Sequence, residues 1–154
     1  MAFFKGQEEY SVDSKGRVNF PYKMRKGLTG ETNKFVINRG VDRCVEVYPT
    51  ETWQIKEELL SKLNYYNPDK RYLLRKMLSW AEDITLDSQQ RITIPKRLID
   101  YAGIKSNVII MGMGDHIEIW DPQIYNDYCA QFESGKEDIY PEIAAKVMSE
   151  LYNE

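Results

Sequence analysis

Apolar and polar residues alternate in two short, matching stretches of this 154-residue chain. In "DSKGRVNFP" (13–21) Val18 and Phe20 flank Asn19, and 74 positions later, in "DSQQRITIP" (87–95), Ile92 and Ile94 flank Thr93. A period of two predicts a half-buried strand at each place. Pro21 and Pro95 end those strands, since proline has no ladder donor, and proline also suits the first position of a helix. "PKRLIDYAG" then predicts a short helix with Leu98, Ile99 and Ala102 inward and Gly103 as a left-handed cap. "PYKMRKGL" is its counterpart, with Met24 inward and Gly27 as the stop.

The repetition extends downstream. "FVINRGVDRCVEVYPTETW" (35–53) aligns with "NVIIMGMGDHIEIWDPQIY" (107–125) at an offset of 72. Gly40 falls on Gly112, Glu46 on Glu118, Tyr48 on Trp120 and Trp53 on Tyr125. Gly and Asp followed by alternating residues predict a hairpin in each copy. Each unit thus reads as strand, turn, strand, short helix, strand, turn, strand, helix, and each half lacks a complete core of its own.

Three longer patterns have helical spacing. "TETWQIKEELLSKL" offers Thr50 as a cap, with Trp53, Ile55, Leu59, Leu60 and Leu63 on mostly one face. "NPDKRYLLRKMLSWAED" offers Asn67 as N-cap, Pro68 at the first helical position, and Leu73, Leu74, Met77, Leu78 and Ala81 as its apolar positions. "YPEIAAKVMSELY" is amphipathic through Ile143, Val147, Met148 and Leu151. The expected organisation is a first repeat over 1–66, a connecting helix over 67–83, a second repeat over 84–135 and a C-terminal amphipathic helix over 136–154.

Apolar content of 42% suffices for a core. The longest apolar-leaning run, "SNVIIMGMG", is too short to span a bilayer. The N-terminal "MAFFKGQEEY" lacks the basic start, apolar stretch and small-residue cleavage site of a signal peptide. Cys44 and Cys129 are expected as free thiols in a reducing cytoplasm, with a disulfide as the alternative. With no CxxC and one histidine, neither a metal site nor a cofactor is expected. His116, beside Asp115 in a hairpin turn, reads as solvated or turn-capping. The chain has no GxSxG, glycine-rich phosphate loop or HExxH, and Asp13 and Asp87 each precede an Arg that would keep them ionised, so enzymatic chemistry is not expected.

Net charge is −3, but its distribution says more. Residues 1–30 carry six Lys/Arg against three acids, a local +3, while residues 126–154 carry two Lys against seven acids, a local −5. Phosphate contacts depend on such local potential. Within "DSKGR", Gly16 permits a positive φ, and Asp13 can accept from the loop's own amides. Lys15 and Arg17 then project from a stiffened turn toward phosphate or guanine. Lys23, Arg25 and Lys26 are expected to widen that basic patch. The competing reading makes Asp13–Arg17 and Asp87–Arg91 internal ion pairs bracing the fold.

Two D-x-x-x-R units, each followed by a strand and Pro, with "VEVYPTETW" after the first and "IEIWDP" after the second, closely resemble the MraZ family, related to the AbrB and SpoVT regulators. The resemblance runs from about Phe4 to the last helix. It implies an α+β fold, mainly β with outer helices, in which two pseudo-symmetric repeats form a double-split, swapped-hairpin barrel. It also implies a homo-oligomeric ring, and a cytoplasmic, nucleoid-associated transcriptional regulator that binds double-stranded DNA. The family's targets are short repeats upstream of its own division and cell-wall gene cluster; neither a membrane nor a small-molecule substrate is implied. The DNA-contacting loop falls on Asp13, Ser14, Lys15, Gly16 and Arg17, with Lys23 and Arg25 beyond it. Arg91 is the corresponding residue of the second loop. That loop has Gln90 where the family places glycine, so a wider turn and a mainly structural role are expected there. The alternative is an antitoxin-like protein-interaction module that holds a partner through the acidic tail. Assembly surfaces are expected on the helices at 67–83 and 140–152; the alternative is that both helices simply cap the protomer's core.

Overall fold

The computed structural model describes residues 3–26, 28, 33–133 and 138–153. Gly27 and the boundary expected at 135/136 lie outside the described residues. Residues 1–122 form one compact unit and residues 123–154 a second.

Among the described residues the first unit has eight strands: β1 (Gln7–Ser11), β2 (Arg17–Asn19), β3 (Lys34–Arg39), β4 (Val45–Pro49), β5 (Glu82–Thr85), β6 (Arg91–Thr93), β7 (Asn107–Gly112) and β8 (Ile117–Trp120). Six form an antiparallel sheet in the order β1-β7-β8-β4-β3-β5, and β2 pairs with β6 in a separate two-stranded ribbon. Helices α1 (Tyr22–Arg25), α2 (Thr50–Leu60), α3 (Pro68–Trp80) and α4 (Lys96–Ala102) connect them.

The pairing shows how the repeats depend on each other. Each half contributes its own hairpin, β3·β4 or β7·β8, but its first strand leaves to pair with the other half's hairpin, β1 on β7 and β5 on β3. The remaining pairs, β2·β6 and β4·β8, join like strands across the pseudo-twofold axis. Neither half could keep its edge strands alone. The main core is shared in the same way: Val18, Phe20, Phe35, Val47, Ile92, Ile94, Leu98, Ile110 and Ile119 belong to one cluster, all at most 2% exposed. Burial of such side chains contributes about 1.5–3 kcal/mol each.

Local rules account for the connections. Asn67 Oδ1 accepts from the amides of Asp69 and Lys70, with Pro68 in the first turn of α3. Gly103 caps α4 at φ 64°. Thr50, expected as a cap, lies inside α2, which begins after Pro49 with no side-chain cap. The apolar face expected on α2 is buried only at Trp53; Ile55 and Leu59 are exposed. Val36, Tyr48 and Trp53 form a second small cluster on the outer face of β3·β4, against which Met77 and Ala81 pack. No residue of α3 is fully buried, and Leu73 and Leu78 are exposed.

The second unit carries most of α5 (Pro122–Ala130) and all of α6 (Tyr140–Tyr152). Tyr128 and Phe132 meet edge to face at 5.2 Å in its first helical segment. The apolar stripe expected on α6 is present, and Ile143, Val147, Met148 and Leu151 are all exposed.

Candidate nucleic-acid interface

The two repeated loops fold into the same turn. In the first, the Asp13 amide donates to the Arg17 carbonyl (3.1 Å) and the Gly16 amide to the Asp13 carbonyl (3.0 Å). Asp13 Oδ1 accepts from the Lys15 and Arg17 amides, both at 2.9 Å, and Oδ2 accepts from Arg17 Nε at 2.6 Å. In the second, Asp87 N to Arg91 O and Gln90 N to Asp87 O are both 3.0 Å. Asp87 Oδ1 takes the Gln89 and Arg91 amides at 2.8 and 2.9 Å, and Oδ2 takes Arg91 Nε at 2.9 Å.

The expected widening of the second turn is therefore incorrect. Gln90 adopts φ 62°, close to Gly16 at φ 79°, and supplies the conformation that glycine provides in the first loop. The demand for glycine at 16 has a further cause. A Cβ there would stand 2.8 Å from the Ile94 carbonyl oxygen and 3.1 Å from Ile99 Cδ1. The backbone that comes close to Gly16 is thus the chain's own, and Gly16 O accepts from Ile94 N at 2.8 Å. Its symmetry mate, Gln90 O, accepts from Phe20 N at 3.0 Å.

Both aspartates are held below their ordinary carboxyl range. The following Arg amide contributes most; burial opposes it as the next largest effect, and the Arg side chain and the Lys15 or Gln89 amide add to the lowering. Each carboxylate is committed to shaping its turn.

The strands between the turns place the arginines. In the ribbon Arg17 faces Thr93, Val18 faces Ile92 and Asn19 faces Arg91. Val18 and Ile92 point into the core at 1% and 0% exposure. By alternation, Arg17, Asn19, Arg91 and Thr93 share the outer face. The arginine side chains are 33% and 25% exposed. Two residues along a strand and one strand across put their Cα atoms roughly 8 Å apart. Ser14 and Lys15 are exposed at one end of this face, Ser88 and Gln89 at the other.

The cations of α1 lie differently from the expectation. Arg25 lines a cavity of about 280 Å³ with Tyr10, Asn19, Tyr22, Gln89 and Gln90, so it augments the second turn and not the first. Arg25 Nε is buried without a hydrogen-bond partner among the described residues. Lys26 and Arg25 lie over the exposed Tyr22 ring, at 4.8 and 5.2 Å, and Lys23 stands 4.0 Å from Glu8. No local sequence signal gives this placement: it follows from the β2·β6 pairing, which brings the end of β2 to the second turn.

His116 also departs from expectation. Its side chain is only 14% exposed and lies with Glu46 and Glu118, not in solvent. Glu46 and Glu118 lie on a covered face of the sheet: every residue of β4 and β8 is buried.

Comparison with known proteins agrees with this arrangement. A family profile described as "MraZ protein, putative antitoxin-like" matches residues 3–76 and again 77–139. The chain is 41% identical over 140 residues to a protein of Natranaerobius thermophilus named "Transcriptional regulator MraZ", covering 91% of this chain and 96% of that one. Proteins of the same name from Carboxydothermus hydrogenoformans and Acetivibrio thermocellus are 35% and 37% identical over 148 residues, covering 96% of this chain and 99% and 98% of theirs. With two profile matches tiling nearly its whole length and relatives of this closeness, the chain belongs to the MraZ family.

Proposed function

We propose that the chain is a sequence-specific DNA-binding transcriptional regulator whose contact surface is the outer face of the β2·β6 ribbon with its two end turns. The observation that carries the reading is the pair of arginines, Arg17 and Arg91, each oriented by its own aspartate on one outward face. A two-stranded ribbon fits the major groove, which is about 12 Å wide, and Arg can read guanine O6 and N7 with its planar fork. Lys15 and Ser14 serve phosphates at one end, and Arg25 and Lys23 at the other, while Gly16, buried against Ile94, only shapes the turn. Asp13 shapes the turn without touching DNA. In this reading the ribbon closes the six-stranded sheet into a swapped-hairpin barrel built from residues 1–66 and 84–135. The core that Val18 and Ile92 of the ribbon share with Phe35, Val47, Ile110 and Ile119 of the sheet supports that closure.

A single such surface makes few phosphate contacts and binds weakly. Copies in a closed ring would engage successive short DNA repeats, each later contact being effectively intramolecular. The exposed apolar residues of α3 and α6 support assembly. The natural targets are then repeats upstream of the protein's own operon, typically the division and cell-wall cluster, and its place is the cytoplasm and nucleoid. The test is Arg17→Ala in an intact oligomer, measured for binding to the DNA upstream of the gene. Affinity should fall at least tenfold, and wild-type affinity would remove the assignment.

The acidic α6 segment, with no buried residue, favours a second reading as an antitoxin-like module that holds a protein partner. A stoichiometric partner that needs residues 136–154, together with no DNA affinity, would select it.

A further inference from the structure

The antiparallel register of β4 and β8 sets Glu46 directly opposite Glu118. Both are 8% exposed. Like charges facing each other on a sheet are unfavourable, and burial raises that cost. The nearby cation Lys56 donates its Nζ to the Tyr48 hydroxyl at 2.8 Å. The third member of the group is His116, stacked on Tyr48 at 4.6 Å.

We propose that Glu46, His116 and Glu118 form a binding site for one first-row divalent metal ion, of the zinc and cobalt class, seated between the two hairpins. One ligand atom from each residue lies within 4.8 Å of the others. Ligands at 2.0–2.2 Å from a metal stand about 3.3–4 Å apart, so small side-chain rotations complete the site. The histidine is prepared for this role. Its Nδ1 lies 2.7 Å from Asp115 Oδ1. A carboxylate only accepts, so Nδ1 carries a proton, and in the neutral form of the ring the lone pair is on Nε2. That Nε2 is buried, has no hydrogen-bond partner among the described residues, and stands 3.9 Å from Glu118 Oε2, beyond hydrogen-bond range.

The surroundings hold the carboxylates as a metal site requires. Trp120 Nε1 donates to Glu118 Oε1 and the Tyr48 hydroxyl donates to Glu46 Oε1, both at 2.9 Å. Donors of this kind, with the Asp115–His116 contact, orient ligands from behind. A cavity of about 230 Å³ reaches the site at Glu46 only, with the cations Arg39, Lys56 and Lys76 also in its lining. Imidazole with carboxylates suits Zn²⁺, Co²⁺ or Mn²⁺ more than Ca²⁺. Three protein ligands leave a position for water, and the ion would fasten β4 of one half to β8 of the other.

The test uses the full chain stripped with a chelator, titrated with Zn²⁺ by calorimetry and with Co²⁺ by visible absorption. One equivalent per protomer should bind, Co²⁺ should show low-coordinate ligand-field bands, and Zn²⁺ at 100-fold over its Kd should raise Tm by about 5–8 °C. Glu118→Gln, close in shape and verified as folded by circular dichroism, should lose at least tenfold in affinity, as should His116→Gln. Asp115→Asn, a positioning change, should weaken binding about 10–100-fold while the site retains its stoichiometry. Absence of saturable binding by the wild-type chain would overturn the proposal. So would binding that the folded Glu118→Gln and His116→Gln variants leave unchanged.

Discussion

Replacing Gly16 by Ala tests whether the first loop is held by the fold or only by its own turn. An L-residue at φ 79° costs about 1–2 kcal/mol relative to glycine. The new Cβ would also stand 2.8 Å from Ile94 O and 3.1 Å from Ile99 Cδ1. The Ile99 methyl can rotate away, but the Ile94 backbone is tied, because its amide donates to Gly16 O at 2.8 Å. Opening that contact forfeits about 1 kcal/mol of hydrogen bonding. The expected destabilisation is therefore about 2–3 kcal/mol, read from urea unfolding followed by circular dichroism. Protein concentration must be fixed, since an oligomer's stability depends on it. Gln90→Gly is the matched control. It removes the left-handed cost at φ 62° but loosens the unfolded chain, so it should be neutral to stabilising by about 1 kcal/mol. A Gly16→Ala variant within about 0.5 kcal/mol of wild type would refute the argument that the turn is locked against Ile94.

Other consequences follow from the same geometry. Asn67→Ala removes the acceptor for two α3 amides and should cost about 0.5–2 kcal/mol in thermal or urea unfolding; an unchanged midpoint would show the cap to be idle. Asp13 and Asp87 titrate below 3.8 in the folded chain, so the unfolded chain takes up protons first as pH falls. Their contribution is complete above that value and is lost as pH drops through the depressed ones. The Asp13→Asn, Asp87→Asn double variant should therefore show a flatter acid limb in its stability curve below about pH 4, and an unaltered limb would contradict the role assigned to them. Leu73→Asp with Leu78→Asp, on the exposed face of α3, should lower the mass seen by light scattering while leaving the far-ultraviolet spectrum of the protomer unchanged.

Much of the fold is legible in the sequence because the two halves obey the same local rules. Val18–Phe20 and Ile92–Ile94 announce their strands, Asn67–Pro68 announces the start of α3, and Gly103 announces the end of α4. The arginine positions are legible for the same reason, since alternation fixes which face they occupy. What sequence spacing conceals is what lies across from each residue. The strand exchange, β1 on β7 and β5 on β3, is a long-range choice. The β2·β6 pairing, equally long-range, sets Arg25 beside the second turn and Gly16 against Ile94. Comparing "KG" with "QQ" suggests two different loops, yet Gln90 takes the left-handed conformation and the Asp–Arg network is the same in both. Both faces of β4 and β8 are covered, which buries Glu46 and Glu118, and His116 is removed from solvent by the same packing.

The central claim is that Arg17 and Arg91 act together on one DNA-facing ribbon. The direct measurement is fluorescence anisotropy with duplex DNA from upstream of the gene, across a salt series, for wild type, Arg17→Ala, Arg91→Ala and the double variant, each checked for an intact oligomer. The account predicts at least tenfold weaker binding for each single variant and a steeper loss for the double. Because both arginines read base edges and not phosphates, the slope of log affinity against log salt should change little in these variants. Wild-type affinity in both single variants would contradict it.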